Sequence, residues 1–302
     1  MTAGPDGIYG CFGVQKGRSM QIIWKNPGRP GMTVHDIGGT VFLTFPMLDV
    51  FPELMNCFST RLGGVSEGIY RSMNLSYTRG DVPERVTENF RRLGKAAGFD
   101  PENMVLSDQT HTVNVRIVTK DDRGKGFTLK KDYTDVDGMI TNVPGIVLAT
   151  FYADCVPLFF YDPVKKAAGL SHAGWRGTVG GIGRVTVEKM QNAFGSRPED
   201  IYAAIGPSIC QDCYEVSDDV IAEVIKTYGE KDASSLYYTN ERGRFQLNLW
   251  EANRLTLLKA GIREEHLSLP GICTCCNPEF LFSHRASMGK RGNLGAFLSI
   301  RQ

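Results

Sequence analysis

Apolar residues recur along this chain with two periods. Alternation and short blocks mark strands, and returns every three to four residues mark helices. Residues 40–45 have the β-branched and aromatic content of a strand, and residues 113–118 alternate. Three apolar runs lie close together at 146–151, 158–161 and 167–170, the last two separated by turn chemistry at Asp162-Pro163. Across residues 83–98, Val86, Phe90, Leu93 and Ala97 recur at helical spacing, with Asp81 placed to cap the start and Gly98 to stop the end. Helices are predicted likewise over 179–194, over 218–228 (capped by Ser217, stopped by Gly229) and over 247–260 (ended by Gly261). Short strands at 201–205, 280–283 and 296–300 complete the pattern. Residues 1–31 show no sustained period and read as an N-terminal extension with little structure or an added edge strand; Met32 is a second candidate start. Residues 32–302 carry no internal repeat and no interdomain linker, so they read as a single mixed α/β domain.

The bulk numbers narrow the class. Of 302 residues, 42% are hydrophobic and 22% charged, the balance of an ordinary globular core. A formal net charge of +1 argues against a nucleic-acid surface or an acidic membrane as partner. No apolar run approaches the ~20 residues that span a bilayer, and the start lacks the features of a signal peptide. A cytoplasmic location is therefore expected. There the eight cysteines read as thiols or ligands rather than a disulfide framework. Five histidines (His35, His111, His172, His266 and His284) are too few for a four-copper oxidase, because copper is held largely by imidazole. One three-ligand site is feasible.

His111, Cys155 and His172 each fall at the end of a predicted strand, beside turn residues. Two imidazoles and one thiolate are a good zinc set, and three protein ligands leave a fourth position for water, as in catalytic sites. The same residues allow different chemistry: Cys155 as nucleophile, His172 as base, and Asp137 or Asn74 to orient the imidazole. The sequence leaves both open. Arg61, in a glycine turn at residues 59–64, is placed to hold a phosphate or carboxylate. Arg176 reads either as a similar anion contact or as a partner for a carboxylate that fixes its turn, and His284 is a candidate for lining a pocket. The glycines at 177, 180, 181 and 183 lack the Walker lysine and the Rossmann spacing, so they read as close helix packing. Cys210-Gln211-Asp212-Cys213 and Cys273-Thr274-Cys275-Cys276 suggest two thiol knuckles, but the adjacent Cys275 and Cys276 favour free thiols over a structural zinc site. His35 and His266 read as surface residues.

Taken in order, several segments resemble one bacterial family. They are residues 58–66, Asn74-Leu75, Gly80-Asp81, Gln109-Thr110-His111, residues 137–141, residues 153–157, residues 172–177, residues 205–209, residues 214–216, Cys273-Thr274 and residues 282–285. The family is variously called laccase-domain protein, polyphenol oxidase or peptidoglycan-editing factor, and is now usually described as purine nucleoside phosphorylase. The resemblance covers about residues 35–302. It implies an α/β sandwich of mixed sheets flanked by helices, related to the cysteine hydrolases of the deamidating-toxin type. It implies that His111, Cys155 and His172 are metal ligands, with zinc the usual ion, and that Arg61 contacts phosphate or substrate. Asn74, Arg176 and His284 are carried as the remaining substrate contacts.

The implied activities are phosphorolysis of adenosine, inosine, guanosine and methylthioadenosine, and deamination of adenosine. Purine nucleoside and phosphate are then the partners, with a monomer or small homo-oligomer expected. Asp154 or Asp137 would protonate the leaving base. The alternatives are a Cys155–His172 hydrolase or amidase acting on peptidoglycan precursors, and a copper-dependent, laccase-like polyphenol oxidase. Three departures bear on substrate preference: Thr112 stands for a common glycine, Thr78 for a histidine and Asn293 for an arginine.

Overall fold

The computed structural model describes residues 10–15, 18–25 and 31–302, with side chains from residue 21 onward. In chain order the first strands are β1 (Gly10–Gln15), β2 (Arg18–Ile22), β3 (Thr33–Ile37), β4 (Thr40–Thr44) and β5 (Leu54–Ser59), with helix α1 (Pro46–Asp49) before β5. Helix α2 (Pro83–Ala97) leads to β6 (Met104–Leu106), β7 (Val115–Ile117), β8 (Gly138–Thr141), β9 (Val147–Tyr152), β10 (Val156–Asp162) and β11 (Ala167–Ala173). Then come α3 (Trp175–Val179), α4 (Ile182–Phe194), β12 (Tyr202–Ile205), β13 (Glu215–Val216) and α5 (Asp218–Ala233). The chain ends with β14 (Tyr237–Thr239), β15 (Phe245–Leu247), α6 (Leu249–Lys259), β16 (Leu267–Ser268) and β17 (Leu294–Ile300).

Two six-stranded mixed sheets carry the fold. One has the order β16-β12-β10-β11-β8-β7 and the other β3-β4-β5-β17-β9-β6. Their layering follows from side-chain alternation. In β10, Phe159 and Tyr161 face a core shared with Leu148 of β9 and Leu298 of β17. The alternate residues Val156, Leu158 and Phe160 face a second core with Ile182, Val187 and Met190 of α4 and Leu257 of α6. On the far side of the other sheet, Val147, Ala149 and Phe297 pack against Val86, Phe90 and Leu93 of α2. The result is helix, sheet, sheet, helix. Because strands such as β10 are buried on both faces, they read as continuous apolar runs.

Several sequence expectations shift. The helix expected over 179–194 is two helices, α3 and α4, broken where Gly181 takes a left-handed φ of 75°. Gly229 interrupts α5 with a φ of 78°, but a further turn follows it. Asp81 does not cap α2 in the usual way; its carboxylate turns inward to Ser66 and Asn74. Residues 280–283 form no strand: Phe280, Leu281 and Phe282 are core residues presented from turns. In the N-terminal extension, β1 and β2 pair with each other. Ile22 reaches the main core, and Trp24 bridges to Ile272. Residues 1–9, 16–17 and 26–30 lie outside the described residues.

Candidate metal centre and its cavity

The chain crosses between the two sheets in short steps, and two of these crossings carry the site. Residues 153–155 connect β9 to β10, so Cys155 stands at the seam; residues 107–114 connect β6 to β7 and carry His111. His172 comes from β11, opposite Pro157 of β10. Asp154 and His111 adopt left-handed backbone, φ 87° and 68°, which non-glycine residues reach only under local constraint. At Asp154 the constraint is visible. Its carboxylate accepts from the Thr274 hydroxyl at 2.6 Å and the Arg285 N–H at 2.7 Å.

One ligand atom each from His111, Cys155 and His172 lies within 4.8 Å of the other two. Asp137, fully buried, organises them. Its carboxylate accepts N–H groups of Thr110 (2.9 Å), His111 (3.2 Å) and Thr112 (2.9 Å), and it bonds Nδ1 of His172 at 2.8 Å. Nε2 of His172 is thereby left for a ligand, the usual carboxylate–histidine–metal relay. Burial pushes the Asp137 carboxyl up, but His172 and the Thr112 and Thr110 N–H groups outweigh it and hold the pKa at about 2. Burial pulls His172 down, but the neighbouring Cys155 sulfur and Asp137 raise it to about 9. Burial and repulsion from His172 lower His111. Gly174 makes the approach possible: a Cβ there would lie 2.7 Å from Nδ1 of His111 and 3.2 Å from the Cys155 sulfur. Converging donors with a carboxylate behind one imidazole fit a divalent metal.

The three donors line a cavity of about 610 Å³, in the size range of small-molecule sites. Its apolar wall includes Leu75, Tyr77, Leu106 and Phe151. Its cations are Arg79, Lys131 and Arg291. Burial and the nearby Arg79 push the Arg291 guanidinium down to about 10, and its Nε is buried without a partner. Lys131 is engaged by Asp108.

The other sequence candidates fall elsewhere. Arg61 lines a separate depression; its guanidinium donates to the carbonyls of Arg71 (3.0 Å) and Pro278 (2.5 Å) over the Phe282 ring. Asn74 is buried, bonded to Asp81 and Ser76 and accepting from the Asn293 N–H at 2.9 Å, so it braces the cavity wall rather than lining it. Arg176 is exposed and stacks on Trp175. His284 is exposed, with its ring beside Gly289. Of the two acid candidates, Asp154 has both oxygens engaged by Thr274 and Arg285, and Asp137 is held toward its anion by His172 and backbone N–H groups. Sequence reasoning missed Arg79 and Arg291. The signal was Asn293, which costs the chain an arginine while Arg291, two residues earlier, donates to its side chain. His35 stacks on Phe42 and His266 on Tyr202, so both are half-buried rather than surface residues.

Residues 55–301 match the family described as multi-copper polyphenol oxidoreductase laccase. The purine nucleoside phosphorylase YlmD of Bacillus subtilis (strain 168) is 39% identical over 253 residues, 83% of this chain and 90% of that protein. The adenosine deaminase RL5, from an unknown prokaryotic organism, is 34% identical over 238 residues, 77% of this chain and 89% of that protein. Among solved structures, YlmD from Geobacillus stearothermophilus matches with a TM-score of 0.83 and 35% identity, covering 91% of this chain and 100% of that one. With sequence and fold in agreement, the chain belongs to this laccase-type family, whose relatives include proteins named purine nucleoside phosphorylase.

Proposed function

We propose that the chain is a zinc-dependent purine nucleoside phosphorylase that also deaminates adenosine. The observation that carries this reading is the convergence of His111, Cys155 and His172 at a cavity lined by Arg79 and Arg291. The names of relatives, phosphorylase and adenosine deaminase, support the same pair of activities. These three residues would hold the ion, which would supply a Lewis acid to activate an oxygen nucleophile. Asp137 fixes the His172 tautomer, so that Nε2 would be the atom offered to the ion. Arg79 and Arg291 hold phosphate: two guanidiniums close together repel, and a dianion between them relieves that repulsion and uses the idle Nε of Arg291. Tyr77 and Phe151 offer flat apolar faces to the purine. Positioning and charge stabilisation are the chain's main contributions to phosphorolysis. Only two imidazoles stand at the centre, which favours zinc over a multi-copper assembly.

A second reading uses the same atoms. Cys155, His172 and Asp137 form a nucleophile, base and orienting carboxylate, and any relation to cysteine hydrolases of the deamidating-toxin type belongs here. His111 separates the readings, because a triad gives it no role. The experiment is metal content plus adenosine turnover with and without phosphate, on wild type and His111→Ala, before and after chelation. Adenine and ribose 1-phosphate formed only with metal, and lost in His111→Ala, support the phosphorylase. Turnover indifferent to chelator and to His111→Ala overturns it in favour of the hydrolase. Polyphenol oxidation proportional to added copper identifies an adventitious ion, since zinc is redox-silent.

A further inference from the structure

A second group of sulfurs lies apart from the cavity. Cys210, Cys213, Cys273 and Cys276 place their sulfurs within 4.8 Å of one another. Each pair is separated by two residues; Cys275, which obscured the second spacing in the sequence, is the residue left out. The first pair sits on a 3-10 turn, Gln211–Cys213, closed by the Cys213 N–H on the Cys210 carbonyl at 3.1 Å. The second turn is closed by the Asn277 N–H on the Thr274 carbonyl at 3.3 Å. A parallel bridge from Ser208 to Cys273 holds the turns side by side.

We propose that these four cysteines form a structural zinc site, distinct from the three-ligand centre. With Zn–S bonds of about 2.3 Å, a tetrahedron has sulfur–sulfur edges of about 3.8 Å. Two of the six edges are 3.9 Å for Cys210–Cys276 and 3.5 Å for Cys213–Cys276, and all lie within 4.8 Å. The Cys210 N–H donates to the Cys273 sulfur at 3.2 Å, the kind of bond that steadies thiolate charge. Lys25, paired with Asp212 at 3.1 Å, brings a cation beside a centre whose net charge would be −2. Four protein ligands close the coordination shell, the mark of a structural rather than a catalytic ion. An iron–sulfur cluster spreads its thiolates over separate irons and needs wider spacing than this.

The site reaches the other centre through covalent neighbours. Thr274, inside the second knuckle, donates to Asp154, the residue before Cys155. Arg285, whose N–H holds the other oxygen of Asp154, sends its guanidinium to the carbonyls of Cys213 and Glu215 at 3.1 and 2.8 Å. Metal in the knuckles therefore braces the turn that presents Cys155.

The test uses the full chain with Cys155→Ala, which removes the thiolate of the three-ligand centre and leaves the four-thiol group intact. Native mass spectrometry is expected to find one zinc retained. Cobalt replacement is expected to give the intense absorption of a tetrahedral four-thiolate centre. Adding Cys213→Ser is expected to abolish both signals. If that variant does not fold, thiol titration of Cys155→Ala serves instead, with four thiols expected to become reactive together as a chromogenic chelator withdraws the zinc. Bound iron, a mass deficit from a Cys213–Cys276 disulfide, or metal without sulfur coordination would each overturn the proposal. Loss of the first centre's function leaves these readouts unchanged, so the two ideas fail separately.

Discussion

Gly174 is an ordinary-looking residue with a narrow tolerance. Its backbone, φ −68° and ψ 177°, would suit any amino acid, so the requirement for glycine comes from space alone. A methyl group at 2.7 Å from Nδ1 of His111 must displace that ring. Gly174→Ala is therefore expected to fold with near-normal melting temperature yet lose metal at the three-ligand centre, as metal analysis would read. Unchanged metal content would contradict this account.

His172 gives a pH signature. Its pKa rises from 6.5 to about 9 in the folded, metal-free protein, so its proton stabilises that form. The contribution is full below pH 6.5 and is lost as pH rises through about 9. Metal reverses the sign, because the proton must leave before the ion binds. Melting temperature of chelated protein is expected to fall across this window, while metal affinity rises. His172→Gln should flatten the first trend. Arg291→Ala is expected to raise the KM for phosphate at least tenfold and to leave metal content unchanged; an unaltered phosphate KM would place the anion elsewhere.

Among the elements, α2 does more than cover a sheet. Phe90 packs edge-on against Phe127, Phe151 and Phe297 and stacks with Tyr77. Phe90→Ala removes a fully buried ring and is expected to cost about 3–5 kcal/mol in denaturant unfolding. Because Tyr77 and Phe151 also line the cavity, loss of nucleoside affinity should accompany the loss of stability. A stable variant would mean that the cluster repacks. The period of α2 was plain in the sequence because one face is apolar and the other is wet. The runs forming β9, β10 and β11 were equally legible; the meeting of His111, Cys155 and His172 was one of two readings left open by spacing, and the family resemblance implied it. The break between α3 and α4 was not, since glycines at 180 and 181 can pack a helix as easily as end one. Nor was the fate of residues 280–283, whose apolar content fits a strand or a buried turn equally well. The surroundings of Arg61 were hidden for a related reason: a guanidinium beside glycines looks free until the Arg71 and Pro278 carbonyls are seen to accept from it. Arg79 and Arg291 are 212 positions apart in numbering, and no local pattern joins them before the chain folds.

At the scale of the whole molecule, both loops bearing His111 and Cys155 cross from one sheet to the other, and residues 153–155 do so in three steps. A crossing that short leaves no slack. If one sheet slid over its partner by a single residue, roughly 3.3 Å, the donors would part by more than any coordination bond can stretch. The seam therefore acts as a rivet, and the centre works as a gauge of how the two sheets are seated. A clamshell opening of the two sheets is therefore not expected to be compatible with an intact centre. The movable wall of the cavity is then expected in the segments that carry Thr78, Arg79 and Arg291, which clasp each other through the Arg79 guanidinium on the Gly289 carbonyl and are anchored by the Asn293 N–H on Asn74.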